Sequence, residues 1–227
     1  MAKVVSLQQI PTLRELYRRS AIAADPGTDG ERRFPFSSTL LDRVSVYRGD
    51  ITHVQVDAIV NAANTGLLGG GGVDGAIHKA AGPKLLKECR TLSGCPTGEA
   101  RVTAGYNLPA KHVIHAVGPV YHPRSTRAPL QLAGCYRISL QLAAEHGLKH
   151  IAFPSISTGI YGYPIESATH VAFGEVRKFL DTEQAKEFER VIFVVFSAED
   201  EAAYLRLIPQ YFPWNDAQAP LSPKSAI

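Results

Sequence analysis

The chain has 227 residues, 45% hydrophobic and 20% charged, with a net charge of +3. That length supplies one sizeable core rather than two domains, and the small, dispersed positive charge argues against a dedicated nucleic-acid surface. The three cysteines (Cys89, Cys95, Cys135) form no CxxC pair, and their odd number argues against a disulfide framework, so an intracellular, cytoplasmic setting is expected.

No apolar run approaches the roughly eighteen residues of a membrane span, and the N-terminus lacks a secretory hydrophobic stretch. Arg14, Arg18 and Arg19 would suit an organellar transit segment, but Glu15 and the low serine content count against it. Ile10 to Ser20 fits a short amphipathic helix with Leu13, Leu16 and Tyr17 on one side. Ala24 to Ser38, containing Asp25-Pro26-Gly27 and Asp29-Gly30, reads as a loop or linker. Residues 1–40 are therefore expected to form an extension that packs on the core.

Arg43 to Tyr47 alternates like a strand and leads into Gly49-Asp50-Ile51-Thr52, where a strand-end carboxylate is by itself ordinary turn chemistry. Ala58-Ile59-Val60 is a short buried strand that hands over to two amides, Asn61 and Asn64. Four glycines follow, Gly69 to Gly72, and then a helix carrying Asp74 and His78 on one face. It stops at Gly82, with Pro83 just beyond. Consecutive glycines are costly in backbone entropy and allow a close backbone approach to something bulky. Before a helix N-terminus their free N–H groups suit an anion such as phosphate. Asn61 and Asn64 suit sugar hydroxyls, and Asp74 sits where the helix dipole favours a carboxylate. Each feature has a bland equivalent: a flexible loop, turn asparagines, a helix cap and a structural histidine. Their concurrence points to a sugar phosphate with a carboxylate aimed at it.

Lys84 to Leu92 reads as a helix, and Ala100 to Asn107 and His112 to Val117 as strands. His112 and His115 invite a zinc reading, but no cysteine or carboxylate stands at ligand spacing, so no metal site is expected. Pro129 to His146 is a long helix, and His150 to Pro154 a buried strand. The loop Ser155 to Pro164 follows. There Ser155, Ser157, Thr158 and Gly159 offer hydroxyls and open N–H groups, and Tyr161 stands at the tip. A helix (Ile165 to Leu180), a continuous apolar strand (Val191 to Phe196) and a helix bearing Tyr204 complete the core. Residues 214–227, with Pro220 and Pro223, read as a disordered tail. The succession requires an α/β sandwich with its crevice at the strands' carboxyl ends.

Asn61-Ala-Ala-Asn64, Gly69 to Gly72, Val73-Asp74-Gly75, Ile77-His78 and Ser157-Thr158-Gly159-Ile160-Tyr161-Gly162-Tyr163-Pro164 together resemble the signature of macrodomains, specifically the MacroD-type ADP-ribosyl-hydrolases. The likeness covers about residues 41–213. It implies an α/β, three-layer α/β/α sandwich around a mixed sheet of about six strands. It also implies ADP-ribose binding, with Asp50 receiving the adenine amino group beside Ile51. By their own position Phe196 and Tyr204 are candidate walls of an adenine pocket, with core packing the alternative for Tyr204. Gly70, Gly71, Gly72 and Val73 would cradle the diphosphate with Ser155, Ser157, Thr158, Gly159, Ile160 and Tyr161. Asp74, Asn64, His78 and Asn61 would form the catalytic group. The implied activity is hydrolysis of distal-ribose esters: release of mono-ADP-ribose from Asp or Glu side chains, and deacetylation of O-acetyl-ADP-ribose. Asp74 would activate the water or orient the ribose. The implied partners are ADP-ribose and mono-ADP-ribosylated proteins, with no cofactor and no membrane, and nucleic acid only as ADP-ribosylated ends; a monomer is expected. The rival within the resemblance is a non-catalytic ADP-ribose reader. Gly70 to Gly75 formally satisfies GxGxxG, but Asn61 to Leu68 intervene between strand and glycines, which argues against a dinucleotide-binding oxidoreductase. P-loop and nucleophile-elbow motifs are absent.

Overall fold

The computed structural model describes residues 4–24 and 31–215. The turns expected at Asp25-Pro26-Gly27 and Asp29-Gly30, and the tail beyond Asn215, lie outside the described residues. Helix α1, Leu13–Arg18, is shorter than its hydrophobic pattern, because Thr12 caps it. The Thr12 hydroxyl accepts from the Glu15 N–H, and the Glu15 carboxylate accepts from the Thr12 N–H at 2.8 Å. A short helix α2, Leu40–Arg43, precedes strand β1, Val44–Arg48, and a 3-10 turn at Ile51–His53 follows. Then come β2 (Ala58–Ala63), α3 (Gly72–Ala81), α4 (Pro83–Thr91), β3 (Ala100–Ala104) and β4 (His112–Val117). The chain closes with α5 (Arg127–Glu145), β5 (His150–Pro154), α6 (Ile165–Leu180), β6 (Arg190–Val195) and α7 (Ala198–Tyr211).

Six strands form one mixed sheet in the order β1-β6-β5-β2-β4-β3, parallel except where β3 runs against β4. The central strands are buried on both faces, which is why Val191 to Val195 is an unbroken apolar run. One face packs against α5, α6 and α7 and carries the aromatic cluster of Tyr136, Phe153, Phe173, Phe193 and Tyr204. The other packs against α3 and α4, through Ile59, Val113, Ile77 and Leu85. These three layers are the expected sandwich, with six strands.

Several boundaries shift by a few residues from the sequence expectation, β3 ending at Ala104 rather than Asn107 among them, and two of the shifts matter for the site. Asn61 lies inside β2 rather than in the loop after it, because the parallel ladder to β4 continues through Asn61↔His115 to Ala63↔Val117. Strand β6 ends at Val195, so Phe196 leaves the sheet and stands 82% exposed at its carboxyl end. At the N-terminus, Thr12 forms an antiparallel bridge to Ser45 and Val5 a parallel bridge to Val54, so the segment crosses the β1 edge of the sheet. Trp214, assigned to the tail from sequence, is instead buried, with its ring 5.3 Å from that of Tyr17.

Candidate functional site

A cleft of about 690 Å³ opens at the carboxyl ends of the parallel strands. Gly49 to Ile51 after β1, Ala62 to Asn64 at the end of β2, and Gly118 after β4 line it. Pro154 to Tyr161 after β5, and Val194 and Phe196 at the end of β6, complete the rim. This is where an open parallel sheet places a ligand, since successive loops diverge there. Its volume falls within the range of small-molecule pockets.

Two loops face each other across the cleft. Gly70 to Val73 runs into the start of α3, which has no side-chain cap, so its first N–H groups stay available. The loop lies on its helix because residue 75 is glycine: a methyl group there would lie 2.5 Å from the Gly70 carbonyl oxygen. Opposite stands Ser155 to Tyr161, where Ser157 has φ +67°. The exposed Ile160 reaches over so that a methyl group at Gly71 would be 3.1 Å from its Cδ1. Gly118 lies directly under this second loop; a methyl group there would sit 2.1 Å from Ser157 Oγ. Among the described residues, the N–H groups of Gly159, Ile160 and Tyr161 make no hydrogen bond to protein. The charged residues lining the cleft are Asp50, Asp74 and Asp200, with no Lys or Arg. An anionic ligand would therefore be held by main-chain N–H groups and a helix N-terminus rather than by cations.

Asp74 is 3% exposed. Its Oδ1 accepts a 2.7 Å bond from Asn61 Nδ2, while Oδ2 faces Gly70. His78, one turn along α3, brings Nε2 to 3.4 Å from the same Oδ1, without hydrogen-bond alignment. Burial pushes the Asp74 pKa above the ordinary carboxylate value, against the downward pull of the Asn61 bond and of His78. Asn64 shapes the glycine loop: its Nδ2 donates to the Gly69 carbonyl at 2.9 Å, and its Oδ1 accepts from the Gly66 N–H at 3.0 Å. A second N–H and a second lone pair remain on that amide for a ligand.

Asp50, Ile51, Asn64, Gly70, Gly71, Gly72, Val73, Asp74, Ser155, Ser157, Thr158, Gly159, Ile160, Tyr161 and Phe196 all line this one cleft. Three expected site residues do not. Asn61 is fully buried, and both its N–H bonds are committed, to Asp74 and to His115 Nδ1 at 3.1 Å, so it does not reach a sugar hydroxyl. His78 sits beneath Gly69, behind the cleft wall. Tyr204 is not a pocket wall: its ring packs on Phe173 and Phe193, and its hydroxyl accepts from Ser155 Oγ at 3.3 Å. Of the hydroxyls expected at a diphosphate, Ser155 is engaged on Tyr204 and Thr158 on the Ser155 carbonyl at 2.9 Å, while Ser157 Oγ is buried without a hydrogen-bond partner. The Asp50 Oδ1 atom accepts from both the N–H and the hydroxyl of Thr52, leaving Oδ2 for a ligand. Sequence reasoning missed Gly49, Gly118 and Asp200. The signals available were a glycine closing a strand at Gly118-Pro119 and a capped helix start at Ser197, whose Oγ accepts from the Asp200 N–H.

His78, Cys89 and His115 bring three metal-ligating atoms within 4.8 Å of one another, a proximity that spacing along the chain does not disclose. His115, however, already uses both ring nitrogens, on Asn61 and on Thr103 Oγ1 at 2.9 Å. Burial also pushes the Cys89 thiol up to about 11. Binding a cation would require breaking two buried hydrogen bonds and ionising that thiol, so the cluster fits a hydrogen-bonded network better than a metal centre.

The sheet order, the opposed main-chain loops and the carboxylate between them define an α/β sandwich with a cleft at the carboxyl ends of its strands. The macro domain family model matches residues 60–172. The chain is 51% identical over 92% of its length to the ADP-ribose glycohydrolase MACROD2 of Xenopus laevis, covering 49% of that protein. It is 58% identical over 73% of its length to a macro domain-containing protein of Chlorobaculum tepidum, covering 95% of it. The crystal structure of the Trypanosoma brucei macrodomain in complex with ADP-ribose superposes with a TM-score of 0.76 at 43% identity, over 92% of this chain and 78% of that one. The chain belongs to the macro domain family. It spans about half the length of the curated MACROD2 relative.

Proposed function

We propose that this chain binds ADP-ribose and hydrolyses esters on its distal ribose, releasing mono-ADP-ribose from Asp and Glu side chains and deacetylating O-acetyl-ADP-ribose. The observation that carries the reading is Asp74: a buried carboxylate with one oxygen fixed by Asn61 and the other at the glycine loop, inside a cleft lined by two main-chain loops. Relatives named ADP-ribose glycohydrolases and a macrodomain holding ADP-ribose support the same ligand.

In this reading the adenine lies against Phe196 with its amino group on Asp50 Oδ2. The diphosphate lies between the N–H groups of Gly70 to Val73 and those of Gly159 to Tyr161. The distal ribose then meets Asn64 and Asp74. Seryl and threonyl hydroxyls in the cleft lack a histidine partner there, which favours direct attack by water over an acyl-enzyme. Asp74, made more basic by burial than an exposed aspartate, orients that water and accepts its proton. The water oxygen bonds to the ester carbonyl carbon, and the resulting tetrahedral intermediate collapses by breaking the bond from that carbon to the ribose oxygen. That oxygen takes the proton from Asp74 and leaves as the ribose hydroxyl, while the carboxylic acid is released. The free, buried cysteines suit a reducing, cytoplasmic setting, and modified proteins would be the partners of a monomer.

The test uses the unmodified chain and Asp74→Ala, with calorimetry against ADP-ribose and release assays on Glu-linked mono-ADP-ribosylated protein and O-acetyl-ADP-ribose. The variant should lose roughly a hundredfold or more in release rate, the scale of a positioned acid–base group, and still bind ADP-ribose. Full release by the variant would remove Asp74 from the chemistry. Tight binding with no release by the unmodified chain would make it a reader.

A further inference from the structure

Behind the cleft wall a chain of buried polar groups leads from the Asp74 carboxylate to residues that the proposed reaction leaves without a task. It runs from Asp74 on α3 through Asn61 on β2 and His115 on β4 to Thr103 on β3. All four are nearly inaccessible, with Asn61 and His115 fully buried. We propose that His115 is a positioning residue: acting through Asn61, it fixes the Asp74 carboxylate in the orientation that the reaction uses. This rests on the functional reading above.

The donor directions follow from the chemistry of the groups. An amide nitrogen only donates, so Asn61 Nδ2 gives one hydrogen to Asp74 Oδ1 at 2.7 Å and the other to His115 Nδ1 at 3.1 Å. His115 must therefore carry no proton on Nδ1 and one on Nε2. That Nε2–H donates to Thr103 Oγ1 at 2.9 Å, with Cys89 Sγ at 3.7 Å as a weaker acceptor. Thr103 in turn donates to the Ala104 carbonyl at 3.2 Å. Burial pushes the His115 pKa down to about 3, which keeps the ring neutral and the tautomer fixed. The parallel register supplies the rigidity, since Asn61 and His115 are directly paired across β2 and β4. If His115 offered no acceptor, one N–H of Asn61 would lose its partner, and the amide plane would no longer be pinned beside the carboxylate. Besides His115, the titratable groups packed around Asp74 are His78 on its own helix and Cys89 on α4.

The sign of the effect is set. A hydrogen bond from Asn61 favours the charged carboxylate, so losing it raises the Asp74 pKa and moves the acid limb of the pH–rate profile upward. His115→Leu removes the acceptor; kcat should fall about ten- to a hundredfold, the scale of a mispositioned catalytic group, with KM within about twofold and the acid limb shifted up. His115→Asn places an oxygen near the former Nδ1 and should recover most of the rate and the original limb. A folded His115→Leu protein with unchanged kcat and limb, or a His115→Asn protein no better than the leucine variant, would overturn the proposal. Nitrogen-15 NMR of the unmodified full chain reads the tautomer without relying on any variant. His115 protonated at Nδ1, or titrating between about pH 5 and 8, would overturn it too. Absence of release by the unmodified chain would instead defeat the functional reading, with the tautomer still decided by NMR.

Discussion

Asp74 is held at a cost to the fold. Burial raises its pKa in the folded state above the unfolded value, so the ionised form is the one the native structure disfavours. The penalty is therefore present in full above the folded pKa and disappears once pH falls below the unfolded one. Asp74→Asn keeps the shape and removes the charge. Its Tm should exceed that of the unmodified chain at neutral pH, with the gap closing as pH falls through the Asp74 titration, while ester release is lost. Paired thermal melts across that range decide the point, and a lower Tm for the variant at neutral pH would refute it. What could be read from the chain here was local: Asp74, His78 and the glycines lie within one loop and one helix turn. The roles of Asn61 and His115 were not legible, because they meet across 54 residues through strand register. Tyr204 misled for a similar reason, since only the rotation of α7 decides whether that ring faces the cleft or the core.

Among the elements, the strand starts are tied as firmly as the ligand loops at the other end. Asp57, just before β2, accepts from Lys111 Nζ at 2.8 Å, from the backbone N–H groups of Lys149 and His150, and from His150 Nδ1 at 2.9 Å. One carboxylate thereby joins the beginnings of β2, β4 and β5. Burial raises its pKa, but the bonds from Lys111, Lys149 and His150 outweigh that and hold it at about 2. A depressed carboxylate contributes stability above its unfolded pKa and loses it as pH falls through the folded one, so Asp57 favours folding at neutral pH and stops doing so in strong acid. Linkage puts the contribution on the order of 2 kcal/mol. Asp57→Asn should therefore lower Tm by roughly 4–8 °C at neutral pH, and by much less at about pH 2. An equal loss at both pH values would show that the hydrogen-bond geometry matters and the charge does not. Strand periodicity located these elements well, and where β2 runs past its expected end it does so for a physical reason. Asparagine is a poor strand residue, yet tertiary pairing with β4 carries β2 through Asn61 to Ala63.

Taken as a whole, the molecule separates the parts that hold the sheet from the parts that line the cleft. The N-terminal segment crosses the β1 edge and sets Leu13 and Tyr17 into the helical layer of α5, α6 and α7. There the two ends of the described chain meet: the Tyr17 ring stacks on Trp214, and its hydroxyl donates to the Phe212 carbonyl at 2.8 Å. Composition showed that proline and polar residues gather after Trp214, but no local signal discloses a partner ring almost two hundred residues away, so the sequence reading began the tail too early. None of Tyr17, Phe212 and Trp214 lines the cleft. Removing the ring should therefore affect stability without affecting recognition. Tyr17→Ala is expected to cost about 3 kcal/mol, as large-to-small changes in aromatic cores do, which lowers Tm by roughly 6–12 °C. Affinity for ADP-ribose, measured by calorimetry well below that Tm, should stay within about twofold, because the cleft loops are anchored to strand ends and not to this contact. If affinity fell along with Tm, the edge and the cleft would be coupled, and this division of the molecule would be wrong.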